Sequence, residues 1–404
     1  MHIEDFKVVV KEHVKYVKGQ VGGKRADVRY ADLSGLNLDK LPLRDAILTA
    51  CDFTGTSMVG TDLSAADLQN CNFADADLSD AVLDSCDLRG ANMQSVRARS
   101  ASLHAADLRP ARLVRKPSAD ADIKDDTIVT TTANLRQVDL NNADLSYAKL
   151  KHADLGHANM EGADMTGADL ESSNLERANL RGAIINSTNF RFAETETAEI
   201  PTPLSDIESD LRVQLLDHYA YINSDGTKGT LASLDGNAYD EIVLSGLNLS
   251  AVGFKGAKLR RADLSRAICI FTNFENADLS GARLHGADFD ATSFRGANLS
   301  GADLSHGKYR PVKTKAGSGA GARDRSWPVD FTNADLSNAN LEGSLFNDVD
   351  FRGATLDGMS FFGATFMNCY FDNGVSAWMR EQSNQPDGIS TREAPDEPTA
   401  LAGD

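Results

Sequence analysis

The sequence predicts an all-β solenoid: a coil of short straight walls, divided into two helix-capped halves with inserted loops. Three observations predict it. A five-residue unit, Ala-(Asp/Asn)-Leu-x-x, recurs along most of the chain; small residues stand two places before each leucine; and the bulkiest apolar residues repeat at twice-doubled intervals of that unit. Internal periodicity of this kind identifies a repeat architecture before any single element is considered.

Taking the leucine as the centre, the first register runs from Leu33 through Leu38, Leu43, Leu48, Phe53 and Met58 to Leu113, with only Ala98 out of type. A second runs from Leu135 to Phe190, a third from Leu244 to Leu304 with Cys269 the one exception, and a fourth from Phe331 to Phe371. A period of five fits neither the 3.6 of a helix nor the 2 of a long strand. A short extended wall ending in a corner does fit: alternation turns the centre and the small residue two before it inward, and sends the intervening Asp or Asn outward. Cys51, Cys71, Cys86 and Cys369 occupy the same small inward place as alanine.

The number of walls follows from stacking. Residues one turn apart lie about 4.8 Å over each other, close enough for rings to stack. Phe254, Phe274 and Phe294 are spaced by twenty, as are Phe331, Phe351 and Phe371, and the pairs Phe53 and Phe73, and Phe346 and Phe366. Twenty residues per turn means four walls. On these motifs the chain resembles the pentapeptide-repeat family, and the resemblance implies a right-handed quadrilateral β-helix. Leu33, Phe53, Phe73, Leu155, Phe254, Phe274, Phe294, Phe331, Phe351 and Phe371 are the expected core, in a rod of about 60 Å if stacking is continuous.

Open coil ends need caps. In residues 1–25, Phe6, Val10, Val14 and Val17 follow one helical face. A first β-helix is expected over 26–193, with a loop at about 114–132 through which Ala121, Ile123 and Ile128 keep the old phase. An acidic linker over 194–241 carries a second cap helix from about Asp206 to Ile222, opened by Ser205-x-x-Glu208. A second β-helix follows over 242–371, with a basic loop at 305–328, and 372–404 is expected to hold a short helix around Trp378 and then a disordered tail. Both cap helices carry His-x-x-Tyr, as His13 and Tyr16, and His218 and Tyr221. Both halves are later broken by Arg-Pro, at Arg109-Pro110 and Arg310-Pro311. An ancestral duplication explains the parallel.

Composition narrows the function. The net charge of -18 disfavours direct binding to nucleic acid or to an anionic membrane surface. The acidic N-terminus lacks the basic and apolar regions of a signal peptide, and no apolar run approaches about 18 residues, so a cytoplasmic protein is expected. Five cysteines without a C-x-x-C pair supply neither a disulfide framework nor a zinc ribbon. His152 and His157 sit one wall apart and do not form a metal pair. The Gly-rich stretch 316–322 lacks the Gly-Lys-Ser/Thr of a phosphate loop. The repeated aspartates are expected to be solvated, and a solid rod offers them no pocket in which to converge. No cofactor, metal or catalytic residue is expected.

What remains is charge. Lys308, Arg310, Lys313, Lys315, Arg323 and Arg325 make residues 305–328 strongly basic in an acidic chain, a candidate partner contact or a solvated insertion. The expected function is a non-catalytic scaffold presenting walls and loops to a protein partner. The alternative comes from the resemblance, since some pentapeptide-repeat proteins are acidic rods that mimic duplex DNA and bind gyrase, a type II topoisomerase. Duplex DNA carries one charge per about 1.7 Å, several times the density of these ladders, so mimicry requires acid concentrated on one face. An enzyme with a site between the halves is the remote third reading.

Overall fold

The computed structural model describes residues 3–115, 127–222, 226–314, 325–375, 379 and 389–391. They form two compact units, Met1–Ser205 and Asp206–Asp404.

In each unit, away from the insertions, parallel bridges join outward residues to those twenty positions on, as in Asp52↔Asn72 and Asn273↔Ser293. Four walls therefore make one turn. The centres and the small residues before them are buried: Leu33, Phe53, Phe73, Leu155, Phe254, Phe274, Phe294, Phe331 and Phe351 are all 0–2% exposed. Phe371 differs. It lies at the end of its column, stacked on Phe351 at 5.0 Å but only half-buried.

Each corner is a tight turn. The amide of Ala46 bonds the carbonyl of Leu43 at 3.1 Å, and Asp45 between them has φ 62°. A positive φ at the third turn position marks a type II turn. The left-handed conformation disfavours residues with a side chain, so Gly, Asn, Asp, Ser and Ala dominate these corners.

In a typical wall every backbone donor is accounted for, and this explains the repeat. At the wall centred on Leu63, the amides of Leu63 and Ala65 bond Val82 and Asp84 of the next turn, and the amide of Asp62 bonds Leu41 of the previous one. Ala66 closes the corner onto Leu63. One amide remains, that of Ser64, and it donates to Asp62 Oδ1 at 3.0 Å. Thr54 on Asp52, Arg89 on Asp87, Gly156 on Asp154 and Arg352 on Asp350 repeat the arrangement. Buried amides must find partners, and Asp and Asn are the residues whose side chains bond the backbone two places on. The outward carboxylates are thus structural acceptors, where full solvation was expected.

In five walls that lack Asp or Asn at that place, an aspartate of the preceding turn substitutes. Asp39 accepts from Val59, Asp84 from His104, Asp235 from Lys255, Asp240 from Arg260 and Asp290 from Arg310. Inward polar residues follow a second rule, donating to a centre's carbonyl in the previous turn. Cys71 bonds Leu48, Cys86 bonds Leu63 and Thr61 bonds Leu38. All five cysteines are buried and none forms a disulfide.

The coil is interrupted by hairpins at the two Arg-Pro sequences. Pro110 and Pro311 fall at corner positions that need a positive φ, which the pyrrolidine ring forbids. The chain leaves there. β1 (Ala111–Arg115) pairs antiparallel with β2 (Thr127–Thr131), and the coil resumes with Asn134 bridged to Asn92. Ile128 therefore lies in a hairpin strand facing Val114, which corrects its expected place in the phase of the coil; Ala121 and Ile123 lie outside the described residues. Leu113 likewise leaves the coil, and Leu135 takes its place, its turn bonded to Met93.

In the second unit, β3 (Lys308–Tyr309) is still coil, with Tyr309 fully buried between Phe289 and Phe346 at 5.4 and 4.5 Å. The insertion is the hairpin of β4 (Val312–Thr314) and β5 (Arg325–Trp327), after which Asp330 bridges Ser293. The expected loop at 305–328 thus starts too early, because Gly307 and Tyr309 still fill the inward positions of a coil wall.

Unit boundaries also move. The first coil reaches Glu199 and the second begins at Ser233, so both take residues from the expected 194–241 linker. The unexpected β6 (Leu345–Asn347) and β7 (Thr365–Cys369) are longer wall segments. β8 (Ile389–Thr391) adds a parallel rung onto β7, correcting the reading of 372–404 as disordered at those residues. Trp378 and the Gly-rich stretch 316–322 lie outside the described residues.

α1 (Ile3–Val17) closes the first coil, burying Phe6, Val10 and His13. α2 (Ser209–Ile222) closes the second, and it starts later than the Ser205 cap implied because Leu204–Asp206 is a 3-10 turn. Gly23 and Gly229, each three residues before its coil's first alanine, lie against the helix backbone. A Cβ would come within 2.3 Å of the Tyr16 amide nitrogen or 2.1 Å of the Asp217 carbonyl oxygen.

The caps also solve one problem in two ways. Asn248 sits in the first turn of its coil, with no earlier turn to accept its amide, and Tyr219 Oη accepts it at 3.2 Å. The corresponding residues of the first unit are Pro42, which has no amide hydrogen, and Val14, which has no hydroxyl.

Two outcomes test this account. Leu155→Asp should abolish the cooperative thermal transition of the first unit by burying an unpaired charge. Asp154→Ala, which strands the amides of Gly156 and Asn174 Nδ2, should cost about 1–2 kcal/mol by urea denaturation, whereas Asp154→Asn should be nearly neutral. Equal costs for Ala and Asn would refute the role of the fifth amide.

Candidate interaction surfaces

The basic residues singled out in the sequence do not form one patch. Lys308 and Arg310 stand on a coil wall and face carboxylates of the preceding turn: Lys308 Nζ lies 3.2 Å from Asp288 and Arg310 Nη2 lies 2.7 Å from Asp290. Asp290 accepts both the guanidinium and the backbone amide of Arg310. This pair anchors the corner before Pro311, and the guanidinium is held firmly protonated by its hydrogen bond to Asp290. Lys313 on β4 and Arg325 on β5 are exposed on the hairpin. Lys315 and Arg323 lie outside the described residues.

The same neutralisation recurs along the walls. Arg89 chelates Asp87, Arg109 chelates Asp107, Arg260 pairs with Asp240, Arg295 with Asp330 and Arg352 with Asp350. Asparagine ladders occupy other carboxylates, Asn72 Nδ2 donating to Asp52 at 3.2 Å, Asn92 to Asn72 and Asn134 to Asn92. Much of the acid is therefore engaged by residues of its own wall or of a neighbouring turn. Among the described residues no cluster of His, Cys, Asp and Glu is arranged to hold a metal, and no described helix is long and apolar enough to cross a membrane.

His152 and His157 occupy successive corners of the first unit. His13 and His218 are buried in the caps. Burial holds His218 down to about 4 and lowers His13 as well.

The residues that sequence reasoning missed are aromatic. Tyr30, Tyr147, Phe192 and Phe271 occupy corners at φ 57–59°, where a bulky residue is strained. Tyr30, Tyr147 and Phe192 are 58–80% exposed. Tyr147 is supported: His104 meets its ring edge-on at 5.7 Å, and its ring covers Gly167, where a Cβ would come within 2.8 Å. The signal was available, since a large ring two places after a centre has no inward place to go.

Among curated proteins no sequence matches this chain. Solved structures that resemble it include HetL, a pentapeptide repeat protein involved in heterocyst differentiation regulation from the cyanobacterium Nostoc sp. strain PCC 7120. It is 20% identical, covers 89% of this chain and 95% of its own, and has a TM-score of 0.19. Full-length QnrB1, a plasmid-mediated fluoroquinolone resistance protein, is 10% identical over 88% of this chain and 99% of its own, with a TM-score of 0.14. A pentapeptide repeat protein of the Arabidopsis thaliana thylakoid lumen is 25% identical over 37% and 68%, with a TM-score of 0.12. These superpositions carry no argument by themselves. The family model for pentapeptide repeats matches residues 46–84, 76–113, 132–162, 163–194, 267–306 and 330–368, just over half of the chain. With its walls, corners and twenty-residue turns in place, the chain belongs to the pentapeptide repeat family, whose fold is a right-handed β-helix.

Proposed function

We propose that this protein is a non-catalytic interaction scaffold whose contacts are made by corner aromatics and by the two hairpins. The observation that carries the reading is the assignment of side chains. Leucines, phenylalanines and cysteines fill the coil, and aspartates hold amides and guanidinium groups. The residues left for a partner are those the coil does not use: Tyr147 on its His104 support, Phe192, and Lys313 and Arg325 on the second hairpin. Exposed, pre-positioned aromatic and basic residues are the side chains that dominate protein interfaces.

A second reading is a DNA-mimicking binder of DNA gyrase. The net charge of -18 favours it, and one family member, QnrB1, is described as a fluoroquinolone resistance protein. The pairing of Asp87, Asp107, Asp240, Asp290 and Asp350 with arginines weighs against it, because a paired carboxylate contributes little to a DNA-like field.

Two measurements separate these readings. Under gyrase binding, the purified protein alters ATP-dependent supercoiling or its poisoning by a quinolone at low micromolar concentration; no effect at tens of micromolar removes that reading. Under the scaffold reading, a host extract yields one dominant partner. Tyr147→Ala and the pair Lys313→Glu with Arg325→Glu should each weaken its capture at least tenfold, about 1.4 kcal/mol, without changing the circular dichroism spectrum. Wild-type capture by both variants would show that these surfaces are not the contacts.

A further inference from the structure

The two cap helices hold their coils through the same atom. His13 Nδ1 accepts the amide of Ala26 at 3.0 Å, and His218 Nδ1 accepts the amide of Ala232 at 3.5 Å. Ala26 and Ala232 are the first inward residues of the two coils. Both rings are 0% exposed, and His218 Nε2 is buried without a hydrogen-bond partner. An imidazole can accept at Nδ1 only while that nitrogen is unprotonated. Its protonated form would set N–H against N–H and place a charge in an apolar cap.

We propose that the cap helices are acid-released latches, each closing its coil only while the histidine that accepts the first inward amide is neutral. Taking up a solvent proton at Nδ1 costs each helix this bond to the coil. Release exposes the amides of Ala232 and Asn248 and the apolar end of the coil.

The surroundings make the second latch the more sensitive. Around His218, Tyr219 is buried and bonded to Asn248, and Asp217 on the same helix accepts from Thr230 Oγ1. No ionised group offsets the burial that depresses His218. Around His13, Tyr16 stacks at 5.6 Å, Glu12 pairs with Lys24, and Asp45 with the Arg44 backbone partly offsets burial, against an opposing effect of Arg25.

The sign follows. As pH falls below about 6.5 the unfolded histidine takes up a proton, whereas the latched His218 resists until about 4. Stability is therefore full above 6.5 and is lost as pH falls through this window. Carboxylates that accept hydrogen bonds, such as Asp32 from Ser34 and Asp39 from Ser57, are held below their usual range and remain ionised there.

Hydrogen–deuterium exchange of the full chain, corrected for intrinsic rates, tests the latch. Between pH 6.5 and 4.5 the opening of α2 should increase roughly fortyfold, that of α1 should increase less, and walls in the middle of each coil should be unchanged. His218→Asn presents an acceptor that does not titrate, and it should flatten the response of α2 alone. A pH-independent α2 in the wild type, or an unchanged response in His218→Asn, would overturn the proposal. Should that variant fold poorly, NMR titration of the wild-type His218 ring decides the question: a midpoint below 5 supports the latch and one near 6.5 refutes it.

Discussion

The structure depends on one amide in every five. Four of the five backbone donors in a wall are satisfied by neighbouring turns and by the corner itself, and the fifth, just after the centre, points at no backbone acceptor. An Asp or Asn just before the centre satisfies it, as Asp62 does for Ser64 and Asp154 for Gly156. The constraint explains why a position on the outer surface is so restricted in type. It also explains the exceptions, because Asp39, Asp84, Asp235, Asp240 and Asp290 reach from the preceding turn to walls that lack their own acceptor.

From that constraint follows the character of the surface. Carboxylates committed to amides and guanidinium groups are not a free acidic field, so the net charge overstates what a partner meets. The inner positions are as fully used. Six phenylalanines from Phe254 to Phe371 stack at 4.7–5.2 Å, beside a second column of Phe289, Tyr309, Phe346 and Phe366. Offset stacking of this kind adds to the area each ring buries. The features the coil does not need are the strained aromatic corners and the hairpins. Both hairpins arise where proline occupies a corner that proline cannot turn.

The caps show the same economy. An open end leaves first-turn amides without acceptors, and each helix supplies a histidine for one of them. At a second such place one unit uses Tyr219 against Asn248, while the other removes the donor by placing Pro42 there. Such paired differences between otherwise similar caps are what divergence after a duplication would leave, provided each change is balanced by its contact.

How much was legible in the sequence follows from which interactions repeat. The five-residue period, the inward Leu and Ala, the four walls and the two cap helices were all readable, because a periodic core imposes the same residue types at every turn. Phe254 over Phe274 is visible in spacing alone. The roles of single residues at breaks were not. Arg310 and Lys308 looked like members of a free basic loop, and only the turn beneath them, with Asp290 and Asp288, makes them wall residues. Ile128 kept the phase of the coil and yet pairs in a hairpin, because register is settled by the strand a residue faces. Tyr147 became a candidate contact once His104 and Gly167 were found beside it. Periodicity determined the coil; contacts between residues distant in sequence decided which side chains the coil consumes and which it leaves free.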